Sequence, residues 1–95
     1  MGAYLGGKAM KIEVKKFGEI LTSRSEGREA YLVSRAYLRP AQGDELVELD
    51  FEGVKVLTPS WADEFISGLR SEYGKRLVCL LSSNPTVIAS LQIIG

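Results

Sequence analysis

The chain has 95 residues, which is enough for one domain and too few for two. Twelve basic and twelve acidic side chains cancel, so no basic excess indicates a nucleic-acid partner. The chain contains one cysteine and no histidine, which excludes an internal disulfide, histidine-based catalytic triads and histidine-ligated zinc.

The N-terminal part predicts a leader followed by a strand. Residues 1–10 include three glycines, so we expect a flexible leader there and one domain over residues 11–95. Lys11–Phe17 alternates apolar and charged side chains, although less regularly at its end. This pattern predicts a strand with one solvated face.

A first helix is expected to follow Ser23 or Ser25 and to run to about Leu38. Ser23 and Glu26 have the spacing of a capping box, in which each side chain bonds the other residue's backbone N–H. The helix should end before Pro40, since the residue preceding proline is pushed out of helical geometry.

The middle of the chain predicts a second strand and a second helix. Glu45–Phe51 reads as a strand, and Val54–Leu57 is a short apolar run towards the core. A helix should begin at about Pro59-Ser60 and end at Tyr73. Gly68 lies inside it and costs ~1 kcal/mol against alanine, so we expect a close contact there. The apolar stripe of this helix comprises Trp61, Phe65, Leu69 and Tyr73.

The C-terminal part predicts a third strand and a third helix. Arg76–Leu81 is almost continuously apolar, which is typical of a strand covered on both faces, with Cys79 as a buried position. Asn84 and Pro85 then form a favoured helix start, and Thr86–Ile94 forms the last helix.

The predicted order is therefore βαβαβα, an α/β fold with a mostly parallel sheet and helical crossovers. Ligands of such sheets gather at the carboxyl ends of the strands. Here those ends are Asp50–Gly53 and Ser82–Asn84, and the helix start at Thr58–Ser60 should lie on the same edge.

The residues of this edge resemble the STAS domain, the fold of anti-sigma-factor antagonists and transporter tails. In that fold a hydrophobic strand ends in Leu-Asp, and Gly-Val, a short apolar run and a serine-bearing helix start follow. Val47–Phe65 shows this order, VELDFEGVKVLTPSWADEF, and Arg76–Gly95 resembles the last strand and helix.

The chain resembles more closely a STAS-like family of bacterial and archaeal proteins without an assigned biochemical activity. That family shows Ser-Arg at the first helix, Leu-Asp-Phe-x-Gly-Val, and Phe-Ala-Asp-Glu at the second helix. The corresponding segments are Ser23-Arg24, Leu49–Val54 and Trp61–Glu64, and the resemblance covers about residues 11 to 95. Because members often accompany histidine-kinase-type ATPase domains, the resemblance implies a partner of that class or another signalling regulator.

The resemblance also implies a phosphoacceptor at Ser60. In phosphorylated STAS antagonists the motif is Asp-Ser-Ser-Gly, and its second serine accepts phosphate from the partner kinase. Thr58 stands at the aspartate of that motif, Pro59 at the first serine, Ser60 at the acceptor and Trp61 at the glycine.

Two capping schemes distinguish a structural from a regulatory Ser60. If Ser60 is the N-cap, its hydroxyl is occupied by the helix backbone. If Thr58 is the N-cap, Pro59 falls at N1, where a missing N–H costs nothing, and Ser60 lies at N2 with a freer hydroxyl. We favour the Thr58 cap.

The remaining candidate residues each have a structural and a functional interpretation. Asp50 either bonds its own loop backbone or, as the STAS resemblance implies, belongs to a phosphate or partner surface. Arg24 is either solvated or, as the family resemblance implies, paired with a carboxylate on the Asp50–Asp63 side. Asp63 and Glu64 suit the helix dipole as first-turn acids, or they belong to the partner surface. Trp61 is either packed or an interface residue. The candidate partner or anion surface thus comprises Arg24, Asp50, Thr58, Trp61, Asp63, Glu64, Ser82, Ser83 and Asn84.

The functional expectation is a non-enzymatic regulatory domain that binds another protein, with no cofactor, no metal and no nucleic acid. The lone cysteine fits a cytoplasmic setting, and no apolar run approaches the ~20 residues of a membrane span. One alternative is a sensor that holds an anion or nucleotide in the strand-end cleft of Asp50, Thr58, Ser60 and Ser82–Asn84. Another is a self-associating structural module, because a net charge near zero opposes association little.

Overall fold

The computed structural model describes residues 9–37 and 45–95. The predicted leader falls outside the described residues except for its last two positions, and so does the predicted helix end at Leu38–Pro40. The described strands are β1 (Ala9–Glu13), β2 (Ile20–Leu21), β3 (Leu46–Asp50), β4 (Val56–Leu57) and β5 (Leu77–Cys79). The described α-helices are α1 (Arg24–Tyr37), α2 (Pro59–Tyr73) and α3 (Pro85–Ile94).

The main sheet has the strand order β1-β3-β5, and β2 and β4 form a separate pair. Every pairing between the described strands is parallel. Helix α1 connects β1 and β2 to β3, and α2 connects β4 to β5. The predicted α/β fold with a mostly parallel sheet and helical crossovers is therefore confirmed. None of the helices among the described residues combines the length and apolarity that crossing a membrane requires.

The first strand is shorter than predicted because Val14–Phe17 forms a 3-10 helix. Val14 is fully buried, and Phe17 packs against the core. Residues three apart lie on one face of a 3-10 helix, so this turn points both side chains inward. A strand would have sent them to opposite faces.

The last strand is less covered than predicted. Leu77–Cys79 are all half-buried, and Leu81 beyond them is fully exposed. Among the described strands, β5 lies at an edge of the sheet. Exposure alternates along β1 and β3, which shows that one face of the sheet is the better covered. Apolar runs alone do not distinguish a central strand from an edge strand. Partial burial raises the pKa of the Cys79 thiol.

The core lies between the sheet and α2 and has an aromatic centre. Trp61 and Phe65 of α2 are buried, with ring centroids 4.8 Å apart. The Phe17 ring stands edge-on to Phe65 at 5.5 Å, a favoured arrangement for aromatic pairs. Through these rings the 3-10 helix after β1 is fixed to the first turns of α2.

Helices α1 and α2 approach each other closely at two glycines. A Cβ atom at Gly27 would lie 2.4 Å from the carbonyl oxygen of Trp61, and one at Gly68 would lie 2.6 Å from the Tyr31 ring. The close contact predicted at Gly68 is confirmed. The Gly27 contact lies near the starts of both helices, which carry the candidate site, and the Gly68 contact lies farther along them.

Candidate functional site

The start of α2 is capped by Thr58. Its hydroxyl oxygen accepts a long, 3.5 Å hydrogen bond from the Trp61 N–H, and Pro59 occupies the first helical position. The same hydroxyl donates to the Thr22 carbonyl at 2.9 Å, and the Thr58 N–H donates to the Leu21 carbonyl at 3.0 Å. The favoured capping scheme is confirmed. Thr58 thereby ties the helix start to the end of β2, and its hydroxyl is in use.

Ser60 consequently lies at the second position of α2 and is half-buried. Within residues 9–37 and 45–95, no protein atom hydrogen-bonds its hydroxyl. The first N–H groups of a helix lack intrahelical partners, and they form the positive end of the helix dipole. With respect to the described residues, the Ser60 hydroxyl is therefore unpaired at a place where negative charge is favoured.

Arg24 joins the starts of the two helices. One guanidinium nitrogen, Nη1, donates to Asp63 Oδ2 and to Glu64 Oε2, both at 3.0 Å. The ion-pair interpretation of Arg24 is therefore confirmed, and its partners are both on α2. The three side chains are at least a quarter exposed, and exposed ion pairs add little to stability. Their charges are available to a partner.

The electrostatics of this cluster favour the ionised forms. The hydrogen bond from Arg24 lowers the pKa of the Asp63 carboxyl, and a bond from the Ser67 hydroxyl adds to the effect. The two carboxylates in turn raise the pKa of Arg24. Ser67 was not singled out from the sequence, although its position four residues after Asp63 places both on one helix face.

The helix-dipole interpretation of Asp63 and Glu64 is wrong. With Thr58 as the N-cap, these residues are the fifth and sixth of α2 and lie beyond its first turn. The dipole effect fades within that turn. Both carboxylates instead lie three and four residues after Ser60, on the same side of the helix.

Trp61 is a core residue and not part of a partner surface. Only 1% of its surface is exposed, and its ring stacks among the buried aromatics. The indole contacts the rings of Phe17 and Phe65. The spacing of Trp61, Phe65, Leu69 and Tyr73 in the predicted apolar stripe favoured this packed position.

A second group of candidates lines a cleft of about 360 Å³ at the strand ends. Asp50 bonds its own loop, because its Oδ1 accepts from the Glu52 N–H at 3.0 Å, and its other oxygen lies 3.6 Å from Lys11 Nζ. The cleft contains the Asp50–Val54 loop and the Leu81–Asn84 loop, whereas Thr58 and Ser60 do not line it. Its acidic side chains, Asp50 and Glu52, oppose the anion or nucleotide that the sequence suggested.

The Asn84 side chain links the loop after β3 to the start of α3 through hydrogen bonds. Its Nδ2 donates to the carbonyls of Val54 and Lys55 at 2.9 and 3.0 Å. Its Oδ1 accepts from the Thr86 N–H, the Thr86 hydroxyl and the Val87 N–H, which confirms the predicted cap of the last helix. No donor or acceptor of this amide is left for a ligand.

Ser82 and Ser83, which precede Asn84, differ in their hydrogen bonds. The Ser82 hydroxyl accepts from the Asn84 N–H at 3.1 Å and stabilises the turn. Ser83 is exposed, and its hydroxyl has no hydrogen-bond partner within the described part of the chain. The same part contains no group of three or more Cys, Asp or Glu side chains arranged to hold a metal ion.

Comparison with protein families identifies a matching domain. The model of a STAS-like domain of unknown function (DUF4325) matches residues 35–87. This is more than half of the chain, so the chain belongs to this STAS-like family. The matched part contains all of α2 and both strand-end loops, whereas Arg24 precedes it. No curated protein and no solved structure matches the chain.

Proposed function

We propose that this STAS-like domain is a regulatory, non-enzymatic module that binds another protein through the α2-start surface, defined as Arg24, Ser60, Asp63 and Glu64. The observation that carries this proposal is the Ser60 hydroxyl. It lies at the second position of the helix, has no hydrogen-bond partner among the described residues, and stands beside exposed charges. A structural cap would have its hydroxyl occupied, as Thr58 has.

Phosphorylation of Ser60 is the proposed switch. A phosphate adds about two negative charges at neutral pH, on the helix side that already carries two carboxylates. Arg24 is the cation that neutralises those carboxylates, and the phosphate competes with them for it. The modification therefore changes the charge of the surface and loosens the α1–α2 cross-link, while the buried core beneath stays in place.

The proposed partner is a histidine-kinase-type ATPase or another signalling regulator, as the family resemblance implies. In the proposed step the Ser60 hydroxyl oxygen attacks the γ-phosphorus of ATP. The bond from that phosphorus to the bridging oxygen breaks, ADP leaves, and the hydroxyl proton passes to a base of the kinase. A cytoplasmic location follows from this partner class, because its ATP is cytoplasmic.

The test is incubation of the chain with the kinase encoded nearest its gene and Mg-ATP, followed by mass spectrometry. We expect one phosphate in the wild-type chain, none in Ser60→Ala, and one in the control Ser83→Ala, which removes an exposed hydroxyl elsewhere. Equal incorporation in the wild type and Ser60→Ala rules out Ser60 as the acceptor. No incorporation, together with unchanged partner binding by Ser60→Asp, rules out phosphoregulation.

A further inference from the structure

One residue of β4 turns its backbone polar groups away from the strand with which β4 is paired. In a parallel pair, alternate residues direct their N–H and C=O groups towards the neighbouring strand, and the residues between them direct theirs away. The N–H groups of Val56 and Thr58 donate to carbonyls on the β2 side, at 3.0 Å each. Leu57 lies between them, so its N–H and C=O groups point away from β2. We call these two groups the β4 outer edge.

Two hydroxyls of α3 are the partners of the β4 outer edge. The Leu57 N–H donates to Thr86 Oγ1 at 3.1 Å, and the Ser90 hydroxyl donates to the Leu57 carbonyl at 2.7 Å. Thr86 and Ser90 are four positions apart, which places both on one side of the helix. Leu57 and Ser90 are each only 2% exposed. Side chains of a helix thus make the hydrogen bonds that a neighbouring strand would make in a wider sheet.

α3 depends on this docked position for its own stability. Half of its ten residues are β-branched, which lowers helix propensity; they are Thr86, Val87, Ile88, Ile93 and Ile94. Isolated helices shorter than about 12 residues are marginal in water even with favourable sequences. A helix of this length and composition should unfold when it leaves the domain. Undocking and loss of the helix are therefore expected to occur in one step.

The contact that holds α3 is small compared with the contact that holds α2. Val87 and Ser90 are the buried residues of α3, whereas α2 buries six of its fifteen residues. Ile88 and Ile93 are 41% and 69% exposed. α3 also has no charged side chain that could add an ion pair. Elements that bury little apolar surface open at a lower free energy than the core, so we expect α3 to open before α2.

We propose that α3 is a conformational switch that covers and uncovers the β4 outer edge. α3 undocks and unfolds as one unit while the rest of the domain stays folded, and the Leu57 N–H and C=O groups then meet solvent. Thr58 remains bonded to Leu21 and Thr22, so the start of α2 keeps its place. A molecule that binds one of the two states shifts the equilibrium between them, which makes α3 a point of regulation.

This switch involves no residue of the α2-start surface, and its test uses the chain alone. Either proposal can therefore fail without the other. The test is native-state hydrogen exchange of the full chain, followed by NMR at several low urea concentrations. The amides of Ile88–Ile94 and of Leu57 should exchange together, at least about tenfold faster than the amides of Phe65–Leu69 in α2. The Leu57 amide is the critical readout because its hydrogen bond goes to a side chain of α3.

Two substitutions in α3 should populate the open state further. Thr86→Val removes the acceptor of the Leu57 N–H, and Ser90→Ala removes the donor to the Leu57 carbonyl. Each should speed exchange of the Leu57 and α3 amides about tenfold, since a buried backbone group loses its partner. Thr86→Ser keeps the hydroxyl, and it should change these rates by less than about threefold.

Gly27→Ala is the matched control because it acts on the rest of the domain. Gly27 lies against the backbone of Trp61, and this contact is the same whether α3 is docked or released. The substitution should speed exchange of the Phe65–Leu69 amides, which open with the whole domain. It should leave exchange of the Leu57 and Ile88–Ile94 amides unchanged.

Three results would overturn the proposal. One is exchange of the α3 amides at the same rate as the α2 amides, which would show that α3 opens only when the whole domain unfolds. Another is fast exchange of α3 while the Leu57 amide stays as protected as α2, which would show that α3 frays without uncovering β4. The third is an effect of Gly27→Ala on the α3 amides as large as its effect on the α2 amides.

Discussion

At the scale of single residues, two neighbouring hydroxyls at the start of α2 have different tasks. The Thr58 hydroxyl bonds the Trp61 N–H and the Thr22 carbonyl, whereas the Ser60 hydroxyl bonds no described residue. This division was predictable from Thr-Pro-Ser, because proline is favoured at N1 and leaves the preceding threonine as the cap.

Removing the two hydroxyls should therefore have unequal effects on stability. Thr58→Ala should lower the free energy of unfolding by about 1–2 kcal/mol, through the lost cap and the lost bond to β2. Ser60→Ala should change it by less than about 0.5 kcal/mol. Urea denaturation measures both, with Thr58→Ser as the control that keeps the hydroxyl. A loss in Ser60→Ala as large as in Thr58→Ala would show that Ser60 is the cap.

The Arg24 cluster makes a separate prediction about acid titration. The Arg24 bond holds the pKa of Asp63 below its usual value, so in the folded chain Asp63 should stay ionised below about pH 3.9, where an unfolded aspartate is half protonated. The ionised Asp63 carboxylate contributes fully to the stability of the folded chain above that pH. This contribution is lost as the pH falls through the lowered pKa. NMR titration of the side-chain carboxyl measures this.

Arg24→Gln is the matched variant for that titration, since it keeps the length of the side chain and removes the charge. The pKa of Asp63 should rise in Arg24→Gln but remain somewhat depressed by the Ser67 hydroxyl. An unchanged Asp63 titration in Arg24→Gln would contradict the ion pair. The sequence could not specify these partners, because Arg24 and Asp63 are 39 positions apart and only the family resemblance indicated a nearby carboxylate.

At the scale of elements, the helix pair α1–α2 depends on a contact that no sequence pattern revealed. Gly27 lies inside α1, where glycine is unfavourable, and the backbone of α2 fills the place of its missing side chain. We expect Gly27→Ala to lower the free energy of unfolding by about 1–3 kcal/mol, although alanine is the better helix former. Urea denaturation gives the value.

Ser25→Ala is the control for this substitution, because Ser25 lies on the same helix and is exposed. Ser25→Ala should leave the free energy of unfolding unchanged or raise it slightly, because alanine has the higher helix propensity. If Gly27→Ala were also stabilising, the two helices would be free to move apart. The Arg24 bridge between their starts would then rest on a looser contact than the structure shows.

The long elements were predictable, and the short ones were not. Apolar periodicity and caps gave α2 and α3 because both helices have a strong start, Thr58-Pro59 and Asn84-Pro85. β2 was missed because its two residues are too few to show a period of two. The strand-end cleft was predicted from topology, but its chemistry was not, since the carbonyls that accept from Asn84 Nδ2 belong to a loop about 30 residues away in sequence.

At the scale of the whole molecule, the absence of histidine determines how the chain responds to pH. No other side chain titrates between about pH 5 and 8 at its unperturbed pKa. The carboxyl shift that the described residues show, at Asp63, is downward and away from neutrality. The proposed phosphorylation would supply a charge near neutral pH that does not depend on a histidine.

The free energy of unfolding should accordingly be constant within about 0.5 kcal/mol between pH 5.5 and pH 7.5, because the lowered pKa of Asp63 lies below this range and the chain has no histidine. Below about pH 4.5 it should fall, as the unfolded carboxyls take up protons before Asp63 does. Urea midpoints across this range test both statements. In Arg24→Gln the free energy of unfolding should fall slightly less steeply below about pH 4.5. It should still be constant between about pH 5.5 and pH 7.5. A step between pH 6 and 7 would instead require a carboxyl with a strongly raised pKa, and it would make direct pH sensing an alternative to phosphorylation.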